Sequence, residues 1–365
     1  MRRAVLVLFF VLALTSPCLA SELFDSQSES YGVSAVEDSL PDAAREIMGD
    51  DAGVKDALDI EAFLARVWNN AREKVGNIWA KGLKSATALV AVSLICGLMS
   101  TLAEGDKADY ITLGGVMATA AVAVGDAGSF IPKGAEALQT ISDFSRALLP
   151  CLCASAAAGG AVTSAAAKYA ATALFMDIFI TAAQSIILPL IYAYMAAAVA
   201  SAALDNPALD SAAKLMKWIC GALMTLLVTA FTAYLSFSGA VTGAADALVS
   251  KAAKSAISAA LPVVGGIVSD AAGTVVAGAG LVRNSVGVFG LLAVVCVCLT
   301  PFLTLGAGYL LYKAAAVLAG AFAEKRMSSL ISALGGAFGM VLGLVGSGAI
   351  MLFLSVISMI KAVTG

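Results

Sequence analysis

The chain is 365 residues long, 60% hydrophobic and 13% charged, with a mean hydropathy of +0.93 and a formal net charge of −3. Soluble domains are about half apolar and a quarter charged, so this composition excludes a water-soluble globule. Runs of Ala, Leu, Val and Gly near the roughly 20 residues that cross a bilayer, without ten-residue alternation, predict an all-α polytopic membrane bundle and not a barrel.

Arg2 and Arg3, the apolar stretch Ala4 to Thr15 and the small-residue exit Cys18-Leu19-Ala20 predict a signal peptide over 1–20, with an uncleaved anchor as the alternative. Cys18 raises a lipoprotein, but Pro17 stands where such sites want a small residue. Residues 21–83 read as an acidic extracytoplasmic segment: Ser21 to Ala80 holds 13 of the 25 acids and 5 bases, against 12 acids and 15 bases from Lys81 onward. Ser21 to Asp56 lacks periodicity and reads as a flexible lead. From Asp59, apolar residues recur every three or four positions, placing Phe63, Trp68 and Trp79 on one helical face. That face suits a membrane interface or a partner groove, or packing against the chain's own membrane domain.

Residues 84–365 form the multispan domain. Spans are expected at Ser85 to Leu102, at Tyr110 to Ile131 with a break near Gly125 and Asp126, and at Leu148 to Ala167 after the amphipathic Gln139 to Arg146. Tyr169 to Leu204 is too long for one ordinary crossing, and Gln184, Ser185 and Pro189 predict two helices or a strong break there. Leu215 to Phe237, Val286 to Leu305, Gly306 to Phe322 and Leu330 to Ile360 follow, for seven to nine membrane segments. Lys325 and Arg326 favour a cytoplasmic loop by the positive-inside rule.

The chain has no histidine, which removes Ser-His-Asp and Cys-His catalysis, His-ligated zinc and imidazole proton relays. "GDAGSFIPKG" lacks the GxxxxGK[ST] spacing that wraps a phosphate. No dense basic surface invites nucleic acid. Cys151-Leu152-Cys153 and Cys296-Val297-Cys298 have a chelating spacing, but both lie in apolar runs where free Cys acts as a small hydrophobe. No enzyme activity, metal or cofactor is expected.

Asp177 in "LFMDIFI" should face protein or water, because a charge at a span centre costs about 2.5 to 3.5 kcal/mol; the alternative places it near a helix end. Lys168 and Lys313 suit snorkelling, and Asp143 with Arg146 suits a local i, i+3 pair. In "ALPVVGGIVSDAAG", Pro262 removes a donor, Gly265 and Gly266 loosen the backbone, and Asp270 sits poorly in lipid. These four residues predict a broken or re-entrant packing or gating element sheltered by protein, or else a loop outside the bilayer.

"SGAVTGAADALVSKAAKSAISAALPVVGGIVSDAAG", followed by "NSVGVFGLL", "LYK" and "EKRMSSLISALGG", resembles the stage III sporulation protein AE family of endospore-forming bacteria, with "LPVVGGIVSDA" the most specific part. The resemblance implies a non-catalytic membrane component of the channel complex, or feeding tube, between mother cell and forespore. It also implies partners from the same operon: a cytoplasmic secretion-type ATPase, small membrane proteins and ring-forming proteins between the membranes. A secondary transporter for a small solute is the alternative. An aspartyl dyad of Asp177 with Asp270 lacks the GxGD surroundings of intramembrane proteases.

Overall fold

Among the described residues, six helices of the computed structural model are long and apolar enough to cross a membrane, fewer than the seven to nine segments expected from sequence. The structure describes residues 29, 31–49, 53–54, 60–103, 106–260 and 265–361; at 43, 106, 239–278 and part of 60–81 only the backbone is described. The predicted signal peptide lies outside the described residues, as do 261–264.

The described helices are α1 (Val33–Asp38), α2 (Asp42–Met48), α3 (Ile60–Leu102), α4 (Asp106–Ala158), α5 (Val162–Ala182), a π turn (Ala183–Ile187), α6 (Leu188–Leu204), α7 (Pro207–Ala260), α8 (Gly265–Gly320) and α9 (Lys325–Ile360). No strand occurs among the described residues. Spans merge because the helices are much longer than a bilayer requires. Helix α4 has 53 residues and runs unbroken through Gly125, Asp126, Pro132 and Pro150, absorbing the predicted span Tyr110 to Ile131, the amphipathic piece after it and the first part of the predicted span Leu148 to Ala167, which the turn at Gly159-Gly160 divides. It stops instead at Gly160, whose φ of 97° only glycine adopts without strain. Helix α8 likewise carries Pro301 inside one 56-residue helix. In α3, the predicted amphipathic helix and the first span are one 43-residue helix.

The break expected at Gln184, Ser185 and Pro189 is a π turn of five residues, after which the helix continues to Leu204. Pro189 lacks the N–H that would close an α turn onto Ser185, and a π turn absorbs that loss without a kinked end. The next start is sequence-encoded: Asn206 Oδ1 accepts the Ala208 N–H at 2.9 Å and Pro207 opens α7.

Helix α9 is the hub. Leu330, Leu334, Val341, Leu344, Val345, Met351, Leu352 and Val356 are buried, and α9 packs on α4, α5, α6, α7 and α8. Lipid is as apolar as these side chains, so van der Waals fit, not water exclusion, holds such a bundle. Close approach matters accordingly: a Cβ at Gly97 would collide with the backbone carbonyl of Phe322 where α3 crosses the end of α8.

The acidic lead is not wholly irregular. Val36, Ile47 and Met48 are fully buried, and α2 packs on α3 and α8 while α1 packs on α4. Arg45 fixes this piece by donating from Nε to the Leu40 carbonyl at 3.0 Å and from Nη2 to the carbonyls of Glu37 and Asp38 at 3.1 and 3.0 Å. The two intramembrane lysines do not snorkel outward. Lys168 Nζ donates to the Ser358 carbonyl at 2.7 Å, and Lys313 Nζ donates to Ser332 Oγ at 2.8 Å and its carbonyl at 3.0 Å.

Candidate functional site

Three helices converge on one carboxylate. Asp126 of α4 accepts from Tyr312 Oη of α8 at 2.5 Å through Oδ2 and from Ser85 Oγ of α3 at 3.1 Å through Oδ1. Tyr312 is 2% exposed, and its ring lies 5.0 Å from Phe338 of α9, which stacks on Phe130 of α4 at 3.8 Å. The cluster borders a cavity of about 190 Å³ that also takes in Asn77, Ser129, Lys133 and Thr304. A carboxylate between two hydroxyl donors ties α3, α4 and α8 together and offers the cavity a polar floor. Sequence reading saw Asp126 only as a place where a span breaks, because nothing local connects it to Tyr312.

A second polar feature lies on the outside, along the groove between α4 and α5. Gln184 Nε2 donates to Gln139 Oε1 at 3.4 Å, Gln139 Nε2 donates to Asp143 Oδ1 at 3.0 Å, and Arg146 Nη1 lies 3.6 Å from Asp143 Oδ1. Helices α4 and α5 are antiparallel across the turn at Gly160. Seven residues make about two helical turns, so stepping from Gln139 to Arg146 and from Gln184 back to Asp177 brings those two residues to one level. Lys133, Glu136, Asp143, Arg146, Asp177, Thr181, Gln184 and Ser185 are all exposed.

The predicted residues fall into three groups. Asp177 lies on α5 with an exposed side chain and makes no hydrogen bond or ion pair among the described residues, so this chain does not itself provide the shelter expected for it. Trp68 and Trp79 on α3 point outward, 71% and 42% exposed, while Val67, the residue before Trp68, is buried; the Phe63 side chain lies outside the described set. Of the packing or gating element, Pro262 lies outside the described residues, and Gly265, Gly266 and Asp270 are described only as backbone of α8. Helix α7 ends at Ala260 and α8 begins at Gly265, on either side of that proline. The structure does not bring this element together with Asp177 in any described contact.

Sequence reading also passed over Arg283, which is 3% exposed on α8. Among the described residues its Nε and Nη1 have no hydrogen-bond partner. The six described cysteines are free, none is exposed, and no group of three metal-ligating side chains occurs among the described residues.

The family model described as stage III sporulation protein AE matches residues 55–363. The chain belongs to the stage III sporulation protein AE family. A similar curated protein is the stage III sporulation protein AE of Bacillus subtilis (strain 168), 28% identical over 183 residues, which are 50% of this chain and 46% of that protein. The chain therefore spans about half the length of the curated relative it matches. No solved structure matches. The stage III sporulation protein AE match takes in α3 through α9, so the Asp126 cluster and the α4–α5 groove both lie inside the family region, whereas α1 and α2 precede it.

Proposed function

We propose that this chain is a non-catalytic, multi-pass component of the channel complex that joins mother cell and forespore, the secretion-like feeding tube needed for endospore development. It belongs in the mother-cell membrane facing the forespore. Its partners are the other membrane and ring-forming proteins of that complex and a cytoplasmic ATPase, which supplies the nucleotide energy for which this sequence has no phosphate-binding loop. The observation that carries the reading is a family member whose membrane helices expose Asp143, Arg146 and Asp177 on their outer surface. Charges in a membrane protein face protein or water, so this surface calls for an aqueous path or a neighbouring protein in place of lipid, as a component of a channel assembly provides. The outward Trp68 and Trp79 give it an apolar face for a partner or the membrane interface.

The polar cavity at Asp126 favours the second reading, a secondary transporter binding its own small solute. Vesicles containing this chain alone separate the two. A channel component leaves solute uptake at the level of empty vesicles, whereas a transporter accumulates a solute when an ion gradient is imposed.

A further inference from the structure

The bundle is longer than a bilayer, and the depth of the α4–α5 groove can be read from α9. Met327 to Ile360 is a run of 34 residues without Asp, Glu, Lys or Arg, about 51 Å long at 1.5 Å per residue, and it must contain the roughly 30 Å hydrocarbon layer. Gly348 lies within about 7 Å of the midpoint of that run. A Cβ built there would stand 3.0 Å from Leu138 and 3.4 Å from Phe179. Residues 138 of α4 and 179 of α5 are thus at mid-depth, and Gln139 and Asp177 are one and two positions from them. The stripe from Glu136 to Arg146 extends about 15 Å along α4, which fits inside the hydrocarbon layer.

At about this depth the exposed face of α7 carries no charge: Leu226 is 64% exposed beside the exposed Thr225 and Thr229, and on α8 Val317 is 76% exposed. The groove instead holds one cation, Arg146, and three carboxylates, Glu136, Asp143 and Asp177, with Thr181, Gln184 and Ser185 between them. The inner face of the same stretch of α4 is core: Leu138, Ile141, Phe144 and Leu148 are buried. The span containing α4 accordingly has the lowest mean hydropathy of the six, 1.4.

Lipid is excluded by four ionisable groups in so short a length. A dry protein partner is disfavoured for a different reason. Burying this many charges costs several kcal/mol per ion unless each meets a matched group, and close helix pairs in membranes are built on small residues. Gln139, Asp143, Arg146 and Gln184 already satisfy one another along the groove, which leaves little for a partner to pair with and much for water to solvate.

We propose that the groove between α4 and α5, from Glu136 to Arg146 and from Asp177 to Ser185, lines a water-filled path across the membrane in the assembled complex. Its contents are water and small hydrated solutes. With both signs of charge on the wall, the path discriminates by hydration and size more than by charge. The inference rests on the channel reading above and adds which surface of the chain meets the path.

The test is thiol accessibility in the full chain, expressed with its partners in sporulating cells. Ser185→Cys and Thr181→Cys exchange a hydroxyl for a thiol with little change of volume, so folding is not at stake; Glu136→Cys and Asp143→Cys extend the scan. Leu226→Cys and Val317→Cys report the lipid face, and the unsubstituted chain, whose described cysteines are not exposed, sets the background. A charged, membrane-impermeant methanethiosulfonate should modify the groove thiols at least tenfold faster than the two lipid-face thiols. Equal rates, or groove thiols modified only by a lipid-soluble maleimide, would show a lipid-facing groove and overturn the proposal; groove thiols refractory to both reagents would show a protein-covered one and overturn it equally. Recovery of partners from the same cells separates the two claims. If the complex is recovered and the groove stays unreactive, this inference falls alone. If the groove reacts but no complex is recovered, the groove is water-lined in this chain by itself, and the channel-complex reading falls together with the placement of the path in an assembly.

Discussion

Tyr312 and Asp126 stand 186 residues apart in sequence and share a 2.5 Å hydrogen bond that fastens α8 to α4. Removing the phenolic oxygen leaves the carboxylate with Ser85 as its one remaining hydroxyl donor, while the ring contact with Phe338 survives. Hydrogen bonds to charged groups contribute about 1.5 to 3 kcal/mol. Tyr312→Phe is therefore expected to lower the thermal midpoint in detergent clearly, and Asp126→Asn, which keeps an acceptor oxygen, to lower it less. Equal midpoints for wild type and Tyr312→Phe would remove this contact from the forces holding the bundle.

Gly97 and Gly125 should respond oppositely to alanine. At Gly97 the new methyl meets the backbone carbonyl of Phe322, which cannot rotate away as a side chain would. Overpacking of this kind costs about 1 to 3 kcal/mol, so Gly97→Ala should lower the thermal midpoint. A Cβ at Gly125 meets nothing within 4 Å, and Gly125→Ala should be neutral or raise stability by up to about 1 kcal/mol through helix propensity.

The far end of the bundle carries a buried polar contact between α5 and α9. Thr172 donates to the Lys168 carbonyl at 2.8 Å, so its contact with the Ser355 hydroxyl has Ser355 as donor. Side-chain hydrogen bonds within membranes average about 0.6 kcal/mol. A double-mutant cycle of Thr172→Val with Ser355→Ala, followed by reversible unfolding in mixed micelles, should give a coupling of about that size. A coupling indistinguishable from zero would contradict the contact.

Trp68 and Trp79 should separate stability from assembly. Both rings point away from the core, so Trp68→Ala with Trp79→Ala should change the thermal midpoint of the isolated chain little, by less than about 0.5 kcal/mol of stability. Recovery with partners, or partition into the interface, should fall severalfold. A large loss of stability with unchanged recovery would instead place both rings in this chain's own packing.

The class of fold was legible because burial in lipid demands long apolar helices, and the composition admits little else. Helix boundaries were legible where a local device sets them, as at Asn206-Pro207. They were misread at Gly125 and Asp126, and at Leu305 and Gly306 where one helix was divided in two, because glycine and polar residues that loosen a helix in water are tolerated in a bundle where neighbours satisfy the freed backbone groups. Asp177 was read as a residue that lipid would reject, and its setting needed the antiparallel register of α4 and α5, which no local pattern carries. Asp126 was opaque for the same reason: its donors come from two other helices. The segment around Pro262 drew attention on sound grounds, and its side chains remain outside the described residues.

The central claim, that this family member acts as one part of a multi-protein membrane channel, is tested most directly by purifying the tagged full chain from sporulating cells in mild detergent. The account predicts a stable assembly containing the ring-forming proteins, the small membrane proteins and the ATPase. Recovery of this chain alone, from cells in which the remaining proteins assemble without it, would contradict it.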